Sequence, residues 1–489
     1  MRTPRHSKHS PSSVFPRPRT KWLRVAAPAA LVLALGAPIA LADVYVHLKD
    51  GKTLVLPVDR DQIDYIEITP KGAPSGNPNS SNDSEQEEAE PAQAATVPAS
   101  PPAPDAPALP EASPVKLPEG GQLHDEAVGK PATYRVGPDQ KFKHVSDLAA
   151  IARDGDTIEI EAGIYDNDWA TWRQNNLTLK GVGGRPHLRS TGSISNDKGI
   201  WIIKGDNVTV DNIEFSGADV HDDNGAGIRA EGGKLTIRNS YFHDNEMGIL
   251  SDNTGKGDIT IENSEFAHQT VDGVYAHNIY IGIAKRFRLT GTYSHDADGG
   301  HQVKSRAREN YIAYNKLMDG KDGDGSYSID LPECGTAYII GNVIQQGVNS
   351  DNHTAISYGA EDCPPDNPKV AYIVNNTFVN DAETADFVTN HTMVPLLLRN
   401  NLIVGIAHLS DGPVRDDNNL LVRSEALVNR DGFDYRLAKG AAAIDRGVPP
   451  GQAADGTSLV PTLEYKEGMA TMPRPKAGKL DIGAYEYQP

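Results

Sequence analysis

The chain is 489 residues long, enough for two or three units, and only 38% of it is hydrophobic, with 46 Gly and 34 Pro marking frequent turns. Its 47 Lys plus Arg against 66 Asp plus Glu leave a formal charge of −19. That excludes a phosphate-tracking nucleic-acid binder, which relies on cationic side chains displacing counterions. The cysteines are two, Cys334 and Cys363, too few for a thiolate zinc cluster or a disulfide-dense miniprotein.

Residues 1–24 carry Arg2, Arg5, Lys8, Arg17, Arg19, Lys21 and Arg24 and no acidic residue. The apolar stretch 25–42 follows and ends in Ala40-Leu41-Ala42 before Asp43, the small-x-small pattern that a signal peptidase reads. This predicts a signal peptide over 1–42 and an exported chain (secreted, periplasmic or attached to the cell surface) with no transmembrane span once mature. An uncleaved anchor is the alternative, since about 18 apolar residues just span a bilayer. Pro28, Pro38 and the many alanines favour cleavage. Loss of the seven cations takes the formal charge from −19 to −26.

Residues 43–70 alternate apolar and polar around Asp50-Gly51, which predicts a small β-hairpin module that needs outside support. Residues 71–133, with PASPPAPDAPALPEASP inside them, have no core-forming pattern and predict a disordered linker stiffened by proline.

From residue 134 to 489 short β-like runs recur with a corner residue between them, at Asn212, Asn239, Asn263, Gly291, Asn315, Asn342, Asn376 and Asn401. The intervals are 27, 24, 28, 24, 27, 34 and 25 residues, the mark of a solenoid. Asn suits a tight corner because it tolerates a left-handed backbone and can hydrogen-bond an identical Asn one coil away. The fold class predicted is all-β, a parallel β-helix. Residues 144–153 (HVSDLAAIAR) read as an amphipathic helix, and DGDTIEIEAGIY follows. This opening resembles that of bacterial right-handed parallel β-helix (pectate lyase-like) exported proteins, in which a helix plugs the first coil. FDYRLAKGAAAIDRG (433–447) and DIGAYEY (481–487) are similar to the closing segment of many such proteins. The resemblance implies a right-handed solenoid with an N-terminal capping helix. It leaves function open among lyases, epimerases, hydrolases and non-enzymatic adhesins.

Chemistry is sought on the outside of the coils, which stack about 4.8 Å apart with side chains alternating in and out. An inward column Ile228, Ile249, Ile279, Val303, Ile329, Ile356 predicts that Tyr280, Lys304, Asp330 and Ser357 share one outward row. Asn278 and Gln302 would flank it, and Arg306 would stand one step along. His277 and His301 fall near strand starts, and His295 lies in the turn between them. Such a patch suits β-elimination from a uronate, which needs a cation on the sugar carboxylate, a base for the adjacent C–H and an acid for the leaving oxygen. Arg306 suits the first role because it can grip a carboxylate with two N–H groups. Lys304 is the candidate base, with Tyr280, His277 or His301 as its partner and Asp330 as its neighbour. Asn278, Gln302, Ser357 and His295 are candidate substrate binders.

The segment HQVKSRARENYIAYNKL resembles the core motif of the alginate and chondroitin B lyase family, in which a Lys-Ser pair precedes an Asn-aromatic turn. On that match Lys304 corresponds to the family's base. Where the family has an Arg-His pair on the next coil this chain has Asp330-Leu331, and the acidic residues of its calcium site have no match before Lys304. A C5-epimerase would use the same proton abstraction, so the expectation is an acidic-polysaccharide partner acted on by elimination or epimerisation. A non-catalytic surface, adhesion or glycan-binding module is the alternative.

Plainer readings stand beside each residue. Lys304 and Asp330 suit a cross-coil ion pair worth about 0–1 kcal/mol, and His277 and His301 suit a stacked pair. Trp169 and Trp172 suit packing on the capping helix rather than a sugar platform. The loop DGKDGDGS (319–326) approaches calcium-loop spacing, but Lys321 stands at a ligand position. Calcium is therefore the one cofactor left open, and no metal ligands are assigned. Cys334 and Cys363, 29 apart, predict a disulfide joining adjacent coils beside the row. The oligomeric state is not set by the sequence.

Overall fold

Three strands per coil repeat along the chain, and each sheet gathers one strand from each of a run of successive coils. The computed structural model describes residues 44–47, 53–56, 130–270, 276–350 and 352–489. The expected signal peptide and residues 71–129 of the expected linker lie outside the described residues. In the 43–70 segment, the strands Val44–His47 and Thr53–Leu56 pair antiparallel. The chain divides after Leu117, and all that follows concerns the second unit, Pro118–Pro489.

The first sheet has 12 parallel strands from Thr133–Val136 to Val414–Asp417, the second 11 from Ile164–Asp166 to Leu420–Val422, and the third 10 from Ala170–Trp172 to Ala407–Asp411. One coil runs Arg286–Thr290, Tyr293–His295, Val303–Ser305, and the next begins at Glu309–Ala313. The architecture is the expected parallel β-helix. Inside it, like residues stack on like. Ile228, Ile249, Ile279, Val303, Ile329 and Ile356 are all fully buried, and the pairing of their strands keeps them in one column. A second column in the second sheet stacks Phe215 on Phe242 at 5.0 Å and Phe242 on Phe266 at 4.6 Å. Each such side chain contributes about 1.5–3 kcal/mol by leaving water.

The corner between the first and second sheets corrects the repeat register. The left-handed position is held by Asn212, Asn239, Asn263, Gly291, Tyr314, Gly341, Asn375 and Asn400. The residue after it faces inward, and there the polar groups are Ser240, Ser264, Thr292, Asn315, Asn342, Asn376 and Asn401, all buried. The sequence repeat had joined these two columns, because Asn serves both. From Asn315 onward the inner position is a ladder: each Nδ2–H donates to the next Oδ1 at 3.0, 3.0, 2.9 and 2.8 Å through Asn342, Asn376, Asn401 and Asn419.

The capping helix is one turn, Ser146–Ala149, shorter than the 144–153 expected. Asp168 accepts the Val145 and Ser146 N–H groups at 2.5 and 2.8 Å and starts it. Asp156 accepts the Arg153 and Ala132 N–H groups at 2.8 and 2.7 Å, tying the chain down just beyond it. Trp172 is fully buried with its ring edge-on to Trp201, and Trp169 packs half-buried on the same core. No helix among the described residues is long and apolar enough to cross a membrane.

Candidate functional site

The strands Ile279–Ile281, Val303–Ser305, Ile329–Leu331 and Thr354–Tyr358 lie side by side in the third sheet. Their register places Tyr280, Lys304, Asp330 and Ser357 in one row. The inward Ile and Val on one side of each residue force that row outward. Arg306 follows the second of these strands. Its guanidinium donates to the Tyr280 hydroxyl oxygen and lies over the Tyr280 ring, with Cζ 5.3 Å from the centroid.

Two acids that sequence reasoning missed complete the patch. Arg306 Nη2 donates to both oxygens of Glu361, at 2.6 and 2.9 Å, and Arg306 Nε lies 3.1 Å from Glu333 Oε1. Lys304 Nζ lies between Asp330 Oδ2 at 3.4 Å and Glu361 Oε1 at 3.7 Å. A signal for both acids was present. Glu333 precedes Cys334 and Glu361 stands two residues before Cys363, and the Cys334–Cys363 disulfide, Cα–Cα 5.4 Å, draws the two segments together. Gly359, at φ +76°, admits the loop beside that bond, since a Cβ there would meet Thr392 Cγ2 at 2.7 Å and Cys334 Sγ at 3.1 Å.

Asp330 is buried to 3% exposure. Burial pushes its carboxyl above the usual range, against the pull of Lys304. The Ser357 hydroxyl donates to this carboxylate, while Asn278 Oδ1 makes no hydrogen bond among the described residues. Buried polar atoms without partners are uncommon and mark a place that structure alone does not explain.

His277 and His301 stack at 4.6 Å, and His277 meets Tyr280 edge-on at 5.2 Å. Each ring accepts a backbone N–H at Nδ1, His277 from His301 at 3.0 Å and His301 from Tyr327 at 3.2 Å. The proton of each neutral ring therefore sits on Nε2. Burial, then Lys304 and Arg306, pushes His277 down to about 3. Burial, then His277 and the same cations, holds His301 well below the usual histidine range. Both are neutral donors, and His301 Nε2 points at Asp330 Oδ2 from 3.5 Å.

Of the four expected substrate binders, three lie outside the row and the fourth is covered. Asn278 and Gln302 are fully buried. Asn278 Nδ2 donates to Gln302 Oε1 at 2.8 Å, and Gln302 Nε2 to Asp319 Oδ1 at 3.2 Å. They stand just before the strands begin, where the chain turns, so strand alternation does not reach them. Ser357 keeps its place in the row but is covered completely. His295 belongs to the second sheet, between Asp296 at 2.6 Å and Glu265 at 3.2 Å. Burial works against its charged form, but those two carboxylates outweigh it and raise His295 above its usual range.

The 319–326 loop does not fit a calcium ion. The Asp319 carboxylate is buried, accepts the Gly347 N–H at 2.9 Å and the Gln302 amide, and is pushed up by burial to about 7. A buried carboxylate with both oxygens already accepting hydrogen bonds is a poor ligand for a hard cation.

Comparison with known proteins bears on the fold. The family described as right handed beta helix region matches residues 163–275. Among solved structures the chain is similar to pectate lyase Pel9A, at 14% identity over 74% of this chain and 98% of that chain, with a TM-score of 0.54. It is also similar to the PL6 family alginate lyase AlyGC, at 14% identity over 68% of this chain and 54% of that chain, with a TM-score of 0.31. The first likeness establishes a pectate lyase-like right-handed β-helix fold; the second, at that score, carries no argument. No curated protein matches the chain.

Proposed function

We propose that this exported β-helix binds an acidic, uronate-containing polysaccharide across the Tyr280–Lys304–Asp330 row and acts on it by β-elimination or C5-epimerisation. The observation that carries the reading is the Arg306–Glu361 pair. A two-pronged guanidinium already holds a carboxylate beside a lysine and a phenol, and Glu361 stands in for the sugar carboxylate that would displace it. With the substrate carboxylate on Arg306, the adjacent C–H becomes acidic. Lys304 takes that proton after passing its own to Asp330 Oδ2, 3.4 Å away. The C–H electron pair then forms the double bond, the glycosidic C–O bond breaks, and the Tyr280 hydroxyl protonates the leaving oxygen. In epimerisation no C–O bond breaks, and a proton returns to the opposite face. A position outside the cytoplasm accords with the disulfide beside this row.

The same pair favours a second reading. Glu361 closes the cation pocket, which suits a non-catalytic glycan-binding surface that exchanges one carboxylate for another. Incubation with a panel of polyuronates separates the two. Unsaturated-sugar absorbance, or solvent-deuterium incorporation at the uronate C5, that vanishes in Lys304→Ala while binding persists supports catalysis. Binding without either signal across the panel supports the second reading, and no binding at all overturns both.

A further inference from the structure

A separate set of side chains meets on the outward face of the second sheet, on the consecutive strands His187–Arg189, Glu214–Ser216 and Tyr241–His243. Parallel pairing sets His187 beside Glu214 and Ser216 beside His243. Glu214 Oε1 lies 3.3 Å from His187 Nδ1 and 3.1 Å from His243 Nε2, and one donor atom from each residue falls within 4.8 Å of the others. The opposite nitrogen of each ring is also engaged. His187 Nε2 meets Ser216 Oγ at 2.6 Å, and His243 Nδ1 meets Asp244 Oδ2 at 2.6 Å. Tyr241 stacks on the His243 ring at 4.3 Å and fixes its plane.

We propose that His187, Glu214 and His243 form a three-ligand site for a zinc-like divalent cation, with the fourth position left to water. Metal–ligand bonds of about 2.0–2.1 Å in a tetrahedron separate neighbouring ligands by roughly 3.3 Å, close to the two separations from Glu214. Two imidazoles and one carboxylate suit a borderline cation, and three protein ligands leave one position open. Ser216 and Asp244 are the outer partners that orient metal-bound histidines and set their tautomers. Such an ion would clip three successive coils.

Farther along the sheet, the molecule supplies its own control. Glu265, His295 and Asp296 repeat Glu214, His243 and Asp244, with Tyr293 stacked on His295 at 4.0 Å. There the place of His187 is taken by Tyr241 and that of Ser216 by Ala267. His268 also comes near His295 and Asp296. However, Asp296 sits 2.6 Å from His295 Nδ1, a hydrogen bond too short to be the edge of a coordination polyhedron.

The test is titration of the chelator-treated full chain with zinc by calorimetry, and with cobalt(II) by visible absorption. The expected result is one saturable site with tetrahedral cobalt bands. His187→Tyr, which places in the row the residue already present two coils on, and His243→Ala each weaken zinc binding at least tenfold, and Asp244→Asn weakens it about 10–100-fold. His295→Ala leaves it unchanged, and circular dichroism checks that each variant is folded. Absence of saturable binding, binding that survives His187→Tyr, or an equal loss in His295→Ala overturns the proposal.

Discussion

Two columns of polar side chains run up this solenoid, and they are built in opposite ways. In the Asn315–Asn419 ladder every amide is used: Asn342 Oδ1 accepts the Asn315 N–H and Nδ2–H at 3.0 Å each, while its Nδ2 donates to Ile312 O at 2.8 Å and to Asn376 Oδ1 at 3.0 Å. In the Tyr280–Ser357 row the groups differ from coil to coil, and the partners are unlike: Asp330 Oδ2 lies 3.4 Å from Lys304 Nζ and 3.5 Å from His301 Nε2. A repeated residue satisfies its own copy one coil away and so stabilises the stack. A row of unlike residues cannot do this, and its half-buried members Tyr280 and Lys304 remain where a ligand can reach them.

That contrast is broken most severely by Lys304→Ala. If the row is catalytic, kcat on a turned-over polyuronate falls about 10²–10⁴-fold, while the urea midpoint barely moves. A large midpoint shift with unchanged kcat would place Lys304 with the ladder instead. Asn342→Ala should do the reverse. It orphans buried donors and acceptors on both neighbouring coils and costs about 3 kcal/mol in urea unfolding, with kcat on the remaining folded protein unchanged.

The histidine pair sharpens the comparison through pH. His277 titrates near 3 in the folded chain and near 6.5 when unfolded, so the unfolded state binds the extra proton between those values. Stability is fully present above about 6.5 and is lost as pH falls toward 3, by up to about 1.4 kcal/mol per pH unit. His277→Gln should flatten that slope, as read from urea midpoints at a series of pH values. The smallest effect is expected from Glu361→Gln. It removes the carboxylate that competes for Arg306, so polyuronate affinity measured by calorimetry should rise severalfold, up to about tenfold. A fall in affinity would mean that Glu361 organises the pocket rather than occupying it.

Much of this was legible in the chain itself. The period near 26 and the inward aliphatic column sufficed to place Tyr280, Lys304, Asp330 and Ser357 in register, because parallel coils repeat the same alternation. The slip at the corner shows the limit of that reading: Asn fits both a left-handed backbone position and a buried ladder, and spacing alone does not separate them. Local periodicity thus determined the solenoid and which residues share a row. Tertiary structure alone decided what surrounds each of them: the disulfide-tied loop that sets Glu361 on Arg306, the backbone donors that fix the tautomers of His277 and His301, and the turn that drives Asn278 and Gln302 inside. These depend on loops whose lengths differ from coil to coil, and a loop's path is set by packing against its neighbours, which no repeat encodes.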